Sequence, residues 1–362
     1  MALIRSQKLG LRLVIPMACA WLGSGCGSNP APGSTPGPPG GPEPPPNTTL
    51  VWQWRALRPS TELNPEPRSH GVLIHDPIAE RIVVFGGDSA RGLLADVWAF
   101  DLVTLTWSEL ATSGGPPRPR LGANAVYDPN GHQLVLWAGQ RGSRFFNDTW
   151  LLDLQNMEWR EVSPAGRPQA RYGSASVFDP VERRLVQFAG FTNLSRRFQD
   201  TQAFDLDTSI WEDLTPADVN PAVRCLLTAA LHAPSRQMLI YGGQQSGPLD
   251  DLWSFDLATR LWTELTPAER PQGRQLASSF VDAEGRFVVF GGDTVMGEVD
   301  ETWAYDLTSG RWLLQEHAAA PAPRQAALAA ATEGGERFFV FAGRGPGFLS
   351  DLWELRRVSV EG

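Results

Sequence analysis

Arginine recurs in four loops of this 362-residue chain, in three of them beside phenylalanine: Arg91; Arg141 and Arg144 with Phe145 and Phe146; Arg196 and Arg197 with Phe198; and Arg344 with Phe348. A guanidinium next to an aromatic ring suits a sugar, a carboxylated glycan or an acidic peptide, because the cation pairs with a carboxylate while the ring offers a flat apolar face. The alternative is a solvated loop whose phenylalanines tuck against the body. Glu62, Glu66 and His70, each four residues apart, bring two oxygens and one nitrogen to one Pro-rich loop. That donor set suits a divalent metal with open positions, although such loops are commonly only solvated. Asp88 and Asp293 each follow a Gly-Gly pair and are the candidate general bases, in a position where aspartate also forms turns. The histidines, at 70, 75, 132, 232 and 317, form no motif with Cys225, and no pattern calls for a cofactor.

These residues sit on a repeat. An aromatic residue followed by a small residue and a glycine occurs as Phe85-Gly86-Gly87, Trp137-Ala138-Gly139, Phe188-Ala189-Gly190, Tyr241-Gly242-Gly243, Phe290-Gly291-Gly292 and Phe341-Ala342-Gly343, the second glycines stepping by 52, 51, 53, 49 and 51 residues. Within one unit, Gly122 to Tyr127 alternates small and larger residues, Asp128-Pro129-Asn130-Gly131 makes a turn, and Gln133 to Trp137 is an apolar strand. Asp148 to Leu154 and Glu158 to Val162 read as two more strands, with no helical period between them. Four short strands per unit, in six units of about fifty residues, predict an all-β fold: a six-bladed β-propeller with four antiparallel strands, A to D, in each blade.

Two further markers carry a resemblance. A tryptophan stands at 98, 150, 253, 303 and 353, with Gln202 in its place in the third unit, and a second tryptophan follows at 107, 159, 211, 262 and 312. With the small-Gly pairs, these resemble the kelch repeat over residues 50–358, within the propeller superfamily that includes galactose oxidase. Kelch propellers serve as scaffolds, receptors and enzymes, so the resemblance implies the fold and leaves function to the site. The Tyr, His and Cys-linked Tyr of galactose oxidase cannot be assembled here, and the Ser-x-Asp-x-Gly-x-x-Trp turns of sialidases are absent. Bacterial sialic acid mutarotases, exported kelch propellers, keep open an enzymatic alternative: a sugar-acid mutarotase or epimerase. The Glu62, Glu66, His70 spacing is similar to the Glu-x-x-x-Asp-x-x-x-His iron site of plant specifier proteins, with Glu66 in place of the Asp.

The sixth unit lacks its second tryptophan. Trp54, 14 residues before Arg68, fills that gap, as Trp107 lies 13 before Arg120 and Trp312 lies 12 before Arg324. Leu50 to Leu57 is therefore expected to be the outer strand of the last blade, closing the ring and hiding two sheet edges. Arg68, Arg120, Arg171, Arg224, Arg274 and Arg324 each precede an innermost strand A. They read either as a ring gathering an anion or as six internal ties, and repetition in every blade favours ties. Recognition is expected where symmetry breaks, on the face carrying the B-to-C and D-to-A loops, whose lengths vary.

The N-terminus is different. Arg5, Lys8 and Arg12 precede the apolar stretch Leu13 to Leu22, and Gly23-Ser24-Gly25 precedes Cys26. That layout reads as an export signal over residues 1–25, whose apolar run is too short to span a bilayer comfortably. Cys26 resembles the acylated cysteine of a bacterial lipobox, with Gly23 where leucine is preferred, and ordinary cleavage near Ala18 or Ala20 is the alternative. Residues 26–49 then form a lipidated Pro/Gly-rich tether and residues 50–362 the propeller. Removing residues 1–25 takes away three positive charges and no negative one, moving the formal charge from −9 to −12. So acidic a body argues against general nucleic-acid binding. The chain thus reads as an exported, monomeric lipoprotein at the outer membrane or cell surface, attached through its lipid alone. It is expected to bind a glycan or protein partner rather than to catalyse.

Overall fold

The computed structural model describes residues 48–193 and 196–361. The export, lipidation and tether readings up to residue 47, Cys26 included, lie outside them. Over the described residues the chain forms six four-stranded antiparallel sheets, so the six-bladed propeller is the fold. The second blade, for instance, consists of Asn124–Asp128, Gln133–Trp137, Thr149–Asp153 and Glu158–Val162. Helix among the described residues is confined to single 3-10 turns at Ala233–Ser235 and Glu333–Gly335.

The innermost strands, Val72–Asp76, Asn124–Asp128, Ala175–Asp179, Thr228–His232, Ser278–Val281 and Leu328–Ala331, touch neighbour to neighbour in a closed circle. Apolar residues alternate along strands that are covered on both faces by adjacent blades. The buried apolar residues accordingly gather into six clusters, each lying between two successive blades. The second tryptophan of each blade packs on the aromatic residue of the preceding small-Gly motif. Centroid distances are 5.1 Å for Trp159 on Phe85, 4.4 Å for Trp211 on Trp137, 4.7 Å for Trp262 on Phe188 and 5.2 Å for Trp312 on Tyr241. Tryptophan buries more apolar area than any other residue, which suits it to a joint that recurs.

The ring closes as expected. Thr48–Leu57 pairs antiparallel with Leu352–Glu361 along its whole length, Trp54 opposite Leu355. Trp54 meets Phe290 of the fifth blade at 4.8 Å and Trp107 meets Phe341 of the sixth at 4.9 Å, completing the set of six joints. Buried Glu354 holds Arg55 of the closing strand at 2.8 Å and also pairs with Arg337, so three strands of the last blade share one carboxylate.

A second circle runs at the axis. His70, Gly122, Gly173, Leu226, Leu276 and Ala326 all have φ between 50° and 66°. Each backbone N–H donates to the carbonyl of its counterpart in the neighbouring blade, from Gly122 to His70 and onward until His70 donates to Ala326. Left-handed backbone costs about 1–2 kcal/mol at a non-glycine residue, so four of these six positions carry strain that the closed set of hydrogen bonds offsets. Glycine is required at position 122 for another reason too: a Cβ there would lie 2.2 Å from the Tyr172 ring.

Candidate functional site

The six repeated arginines are ties. Each is almost fully buried. Arg224 donates from both terminal nitrogens to Asp251 at 2.6 Å, from Nη1 to the Gly242 carbonyl and from Nε to the Ala222 carbonyl. Arg68, Arg120, Arg171 and Arg324 clamp Asp96, Asp148, Asp200 and Asp351 the same way, and Arg274 reaches Glu301 through one nitrogen. The carbonyl of each arginine accepts from the second glycine of the preceding blade, as in Gly139 to Arg171 and Gly343 to Arg68. These links explain the recurrence of the small-Gly pair: a Cβ at Gly87 would lie 2.5 Å from the Ser69 carbonyl. The first tryptophan of a blade belongs to the same unit. The Nε1 atoms of Trp98, Trp150, Trp253, Trp303 and Trp353 donate to the clamped carboxylates, and in the third blade Gln202 Nε2 donates to Asp200 instead. Burial alone would raise the Asp148, Asp251, Asp351 and Glu301 carboxyls. The arginine and tryptophan hydrogen bonds and the arginine charge outweigh it and hold all four below the ordinary carboxylate range.

At the axis, a cavity of about 170 Å³ is lined by the six left-handed residues and their neighbours, His70 and Tyr172 among them. Asp88 accepts from Ser69 Oγ at 2.7 Å and lies 3.2 Å from His70 Nδ1. Burial pushes its carboxyl up, but the His70 and Ser69 hydrogen bonds and the His70 charge prevail and hold it low, which opposes a role as general base near neutral pH. Asp293 accepts from Gln275 Nε2 at 2.9 Å. Glu62, Glu66 and His70 do not converge: Glu62 is exposed, Glu66 lies 3.4 Å from Arg91 Nε, and His70 turns with its left-handed backbone toward Asp88. Among the described residues no group of three His, Cys, Asp or Glu side chains is placed to hold a metal ion. Cys225 is buried and in no disulfide among the described residues, its Sγ lies 3.9 Å from the Gln244 carbonyl, and burial pushes its thiol up.

The loop arginines behave differently from the ties. Arg141 and Arg144 face each other across a two-residue ribbon and are exposed. Arg196 and Arg344 are also exposed, with Arg344 5.2 Å over half-buried Phe348. Arg91 is exposed, and Arg197 is half-buried with Nη2 on Gln244 Oε1 at 3.1 Å. The phenylalanines depart from the expectation of a solvent-facing aromatic set at two positions. Phe146 and Phe198 are buried under the structural guanidiniums of Arg120 and Arg171, at 4.2 and 4.1 Å, because a ring stacked on a clamped arginine escapes water on both sides. Phe145 instead packs edge-on against Phe191 at 5.8 Å, and Arg197 lies 5.7 Å over that same ring. The loops of the second and third blades are thereby brought together, while those of the first and sixth stand apart in sequence and in contacts.

The larger cavity, about 500 Å³, opens on the third blade and is lined by Arg171, Arg196, Arg197, Phe198, Asp200 and Gln202 together with Pro168, Gln169, Gln199 and Val223. Phe191 and Gln187 are the residues that sequence reasoning missed. Gln187 faces Gln202 across the sheet, at the position where the other blades pair an aliphatic residue with tryptophan: Val84 with Trp98, Leu136 with Trp150, Ile240 with Trp253, Val289 with Trp303 and Val340 with Trp353. A polar residue inside the apolar run that precedes the small-Gly pair, Leu185-Val186-Gln187-Phe188, was the available signal.

Comparison with known proteins agrees with this geometry. The KLHDC2/KLHL20/DRC7 Kelch-repeats domain matches residues 47–233, 130–312 and 216–361, three overlapping stretches that together run the length of the propeller. Acyl-CoA-binding domain-containing protein 4 of Arabidopsis thaliana is 26% identical over 62% of this chain and 34% of its own length. Host cell factor homolog hcf-1 of Caenorhabditis elegans is 26% identical over 59% of this chain and 29% of its own, and putative adagio-like protein 2 of Oryza sativa subsp. japonica is 31% identical over 56% and 35%. The match thus spans about a third of each relative. With the clamps, tryptophan joints and ring closure all in register with the matched repeats, the chain belongs to the kelch-repeat propeller family.

Proposed function

We propose that this propeller is a binding module that holds a protein partner on the face formed by its B-to-C and D-to-A loops. One observation carries the reading. The repeated arginines are consumed by internal carboxylates, whereas Arg141, Arg144, Arg196 and Arg344 present exposed guanidiniums that form no ion pair among the described residues. Cations left unpaired on one face of a chain with a formal charge of −9 steer an acidic surface toward that face. The relatives support it to this extent: the same module recurs within longer chains whose names point to different roles, as expected of a scaffold whose loops choose the partner. The N-terminal layout adds to the proposal that Cys26 carries a lipid and holds the module at a membrane, which fatty-acid labelling of wild type against Cys26→Ser tests.

The partner reading is tested by crosslinking and identifying what the intact protein binds in its own cells, then titrating that protein against Arg141→Ala/Arg144→Ala. Binding about tenfold weaker, with association slowed by salt, supports the face. An unchanged dissociation constant removes it.

A further inference from the structure

The geometry points to a second, smaller site: the cavity on the third blade is a pocket for a carboxylated saccharide, bordered by Gln202 where the other five blades carry a tryptophan. In the other five blades the cross-strand pair of aliphatic residue and tryptophan fills the space beside the clamped carboxylate and faces the preceding blade. In the third blade the tryptophan is lost while its hydrogen bond to the carboxylate is kept, since Gln202 Nε2 reaches Asp200 at 3.1 Å. The scaffold is therefore intact and only the bulk is gone, and Gln202 borders the 500 Å³ opening.

Three features select the ligand. The size lies within the range of small-molecule pockets, about 300–1,000 Å³, and is several times what one acidic side chain fills. The cationic edge is Arg196 and Arg197, neither in an ion pair among the described residues, with the Arg197 Nε buried and without a partner. The interior is amide-rich. Gln169, Gln199 and Gln202 border the opening, so the walls offer donors and acceptors beyond those a bare carboxylate needs, and behind Gln202 in the sheet lies Gln187, fully buried with neither amide atom paired. Three amide side chains around one opening suit a polyhydroxylated molecule. A uronic-acid saccharide supplies one carboxylate for the arginines and hydroxyls for the amides. The site is off the axis and shares Arg196 with the proposed partner face, and Arg141→Ala/Arg144→Ala, which leaves the pocket lining intact, separates failure of one reading from failure of the other.

The experiment titrates the intact protein with short galacturonate and glucuronate oligomers, with neutral glucose oligomers of equal length, and with a glutamate-rich peptide. It is repeated on Gln187→Val/Gln202→Trp, which rebuilds the pair found in the other blades, and on Arg196→Ala, an exposed change that leaves the core untouched. Saturable binding of a uronate oligomer that is absent for the neutral series, and at least about tenfold weaker in both variants with thermal unfolding preserved, is the expected result. Equal affinity in the rebuilt blade places the ligand elsewhere and overturns the assignment. Tighter binding of the peptide than of any saccharide overturns the ligand class, and failure of every uronate to bind overturns the site.

Discussion

The third blade and the fourth differ by very little in backbone and by much in what they leave open. Both carry the arginine clamp, the small-Gly pair and the second tryptophan, and their strands pair in the same register. The fourth completes the pattern with Ile240 and Trp253, whereas the third puts two glutamines there and gains a cavity. A propeller separates what holds a blade together from what fills it. The clamp fixes the strands, so the filling residue is free to change without loss of the fold.

The clamp itself should give the largest effect. Arg224→Met leaves the half-buried Asp251 carboxylate beside no cation and strips two backbone carbonyls of a donor, and denaturant unfolding should show a loss of about 3 kcal/mol. Arg171→Met should match it, because the third blade shares the clamp, and a loss below about 1 kcal/mol in either would break the structural reading of the ring. Next, importing the third blade's exception into the fourth, Trp253→Gln, should cost about 2–4 kcal/mol while keeping the native fold by circular dichroism, since the amide retains a donor for Asp251 as the volume is lost. The reverse change, Gln187→Val/Gln202→Trp, should gain about 1–2 kcal/mol by filling the cavity and removing an unpaired amide.

A smaller effect concerns the second tryptophans. Trp54, Trp211 and Trp262 donate Nε1 to Thr302, Thr149 and Thr201 of the preceding blade, at 3.1, 3.4 and 3.0 Å. Val97 and Leu252 occupy the corresponding positions in the first and fourth blades, and Nε1 of Trp159 and Trp312, which face them, has no partner. Val97→Thr should therefore change stability by less than about 1 kcal/mol and on the favourable side, with a tryptophan fluorescence shift as the direct readout.

Last, pH separates the clamps from other titrating groups. The Asp148, Asp251, Asp351 and Glu301 carboxyls are held below their unfolded values, so their contribution is present above about pH 4 and is lost as pH falls through the folded values. His75, lowered by burial above all, works earlier. Burial disfavours its charged form in the folded state, so its contribution starts to fall as pH drops below about 6.5. Thermal unfolding should show a shallow decline from there, to which His232 and His317, also lowered by burial, add, and a steeper one below about pH 4, and His75→Phe should reduce the first alone.

Much of this was legible in the sequence because it repeats. The blade number, the closing strand and the structural reading of the arginines all follow from comparing one unit with the next, and Trp54 was placed by counting residues from Arg68. What repeats least was hardest to read. Gln202 stood out as a missing tryptophan, but its pairing with Gln187 depends on strand register, which sequence spacing alone does not set. Phe146 and Phe198 looked like surface aromatics because their neighbours are charged. Their burial depends on arginines about 26 residues upstream in the chain, a contact that only the folded blade creates. The axial circle of hydrogen bonds left no signature beyond two glycines, since four of its members are ordinary residues held in a left-handed conformation by their neighbours.

The closing strand also sets an order in time. Thr48–Leu57 leaves the ribosome before any blade exists, yet its partner, Leu352–Glu361, follows every other strand of the propeller. For the whole of synthesis, at about 5–20 residues per second, an apolar edge bearing Trp52 and Trp54 waits unpaired. The first strand of the propeller to appear is thus the final one to dock, and the interval between those events is when this protein most needs a chaperone.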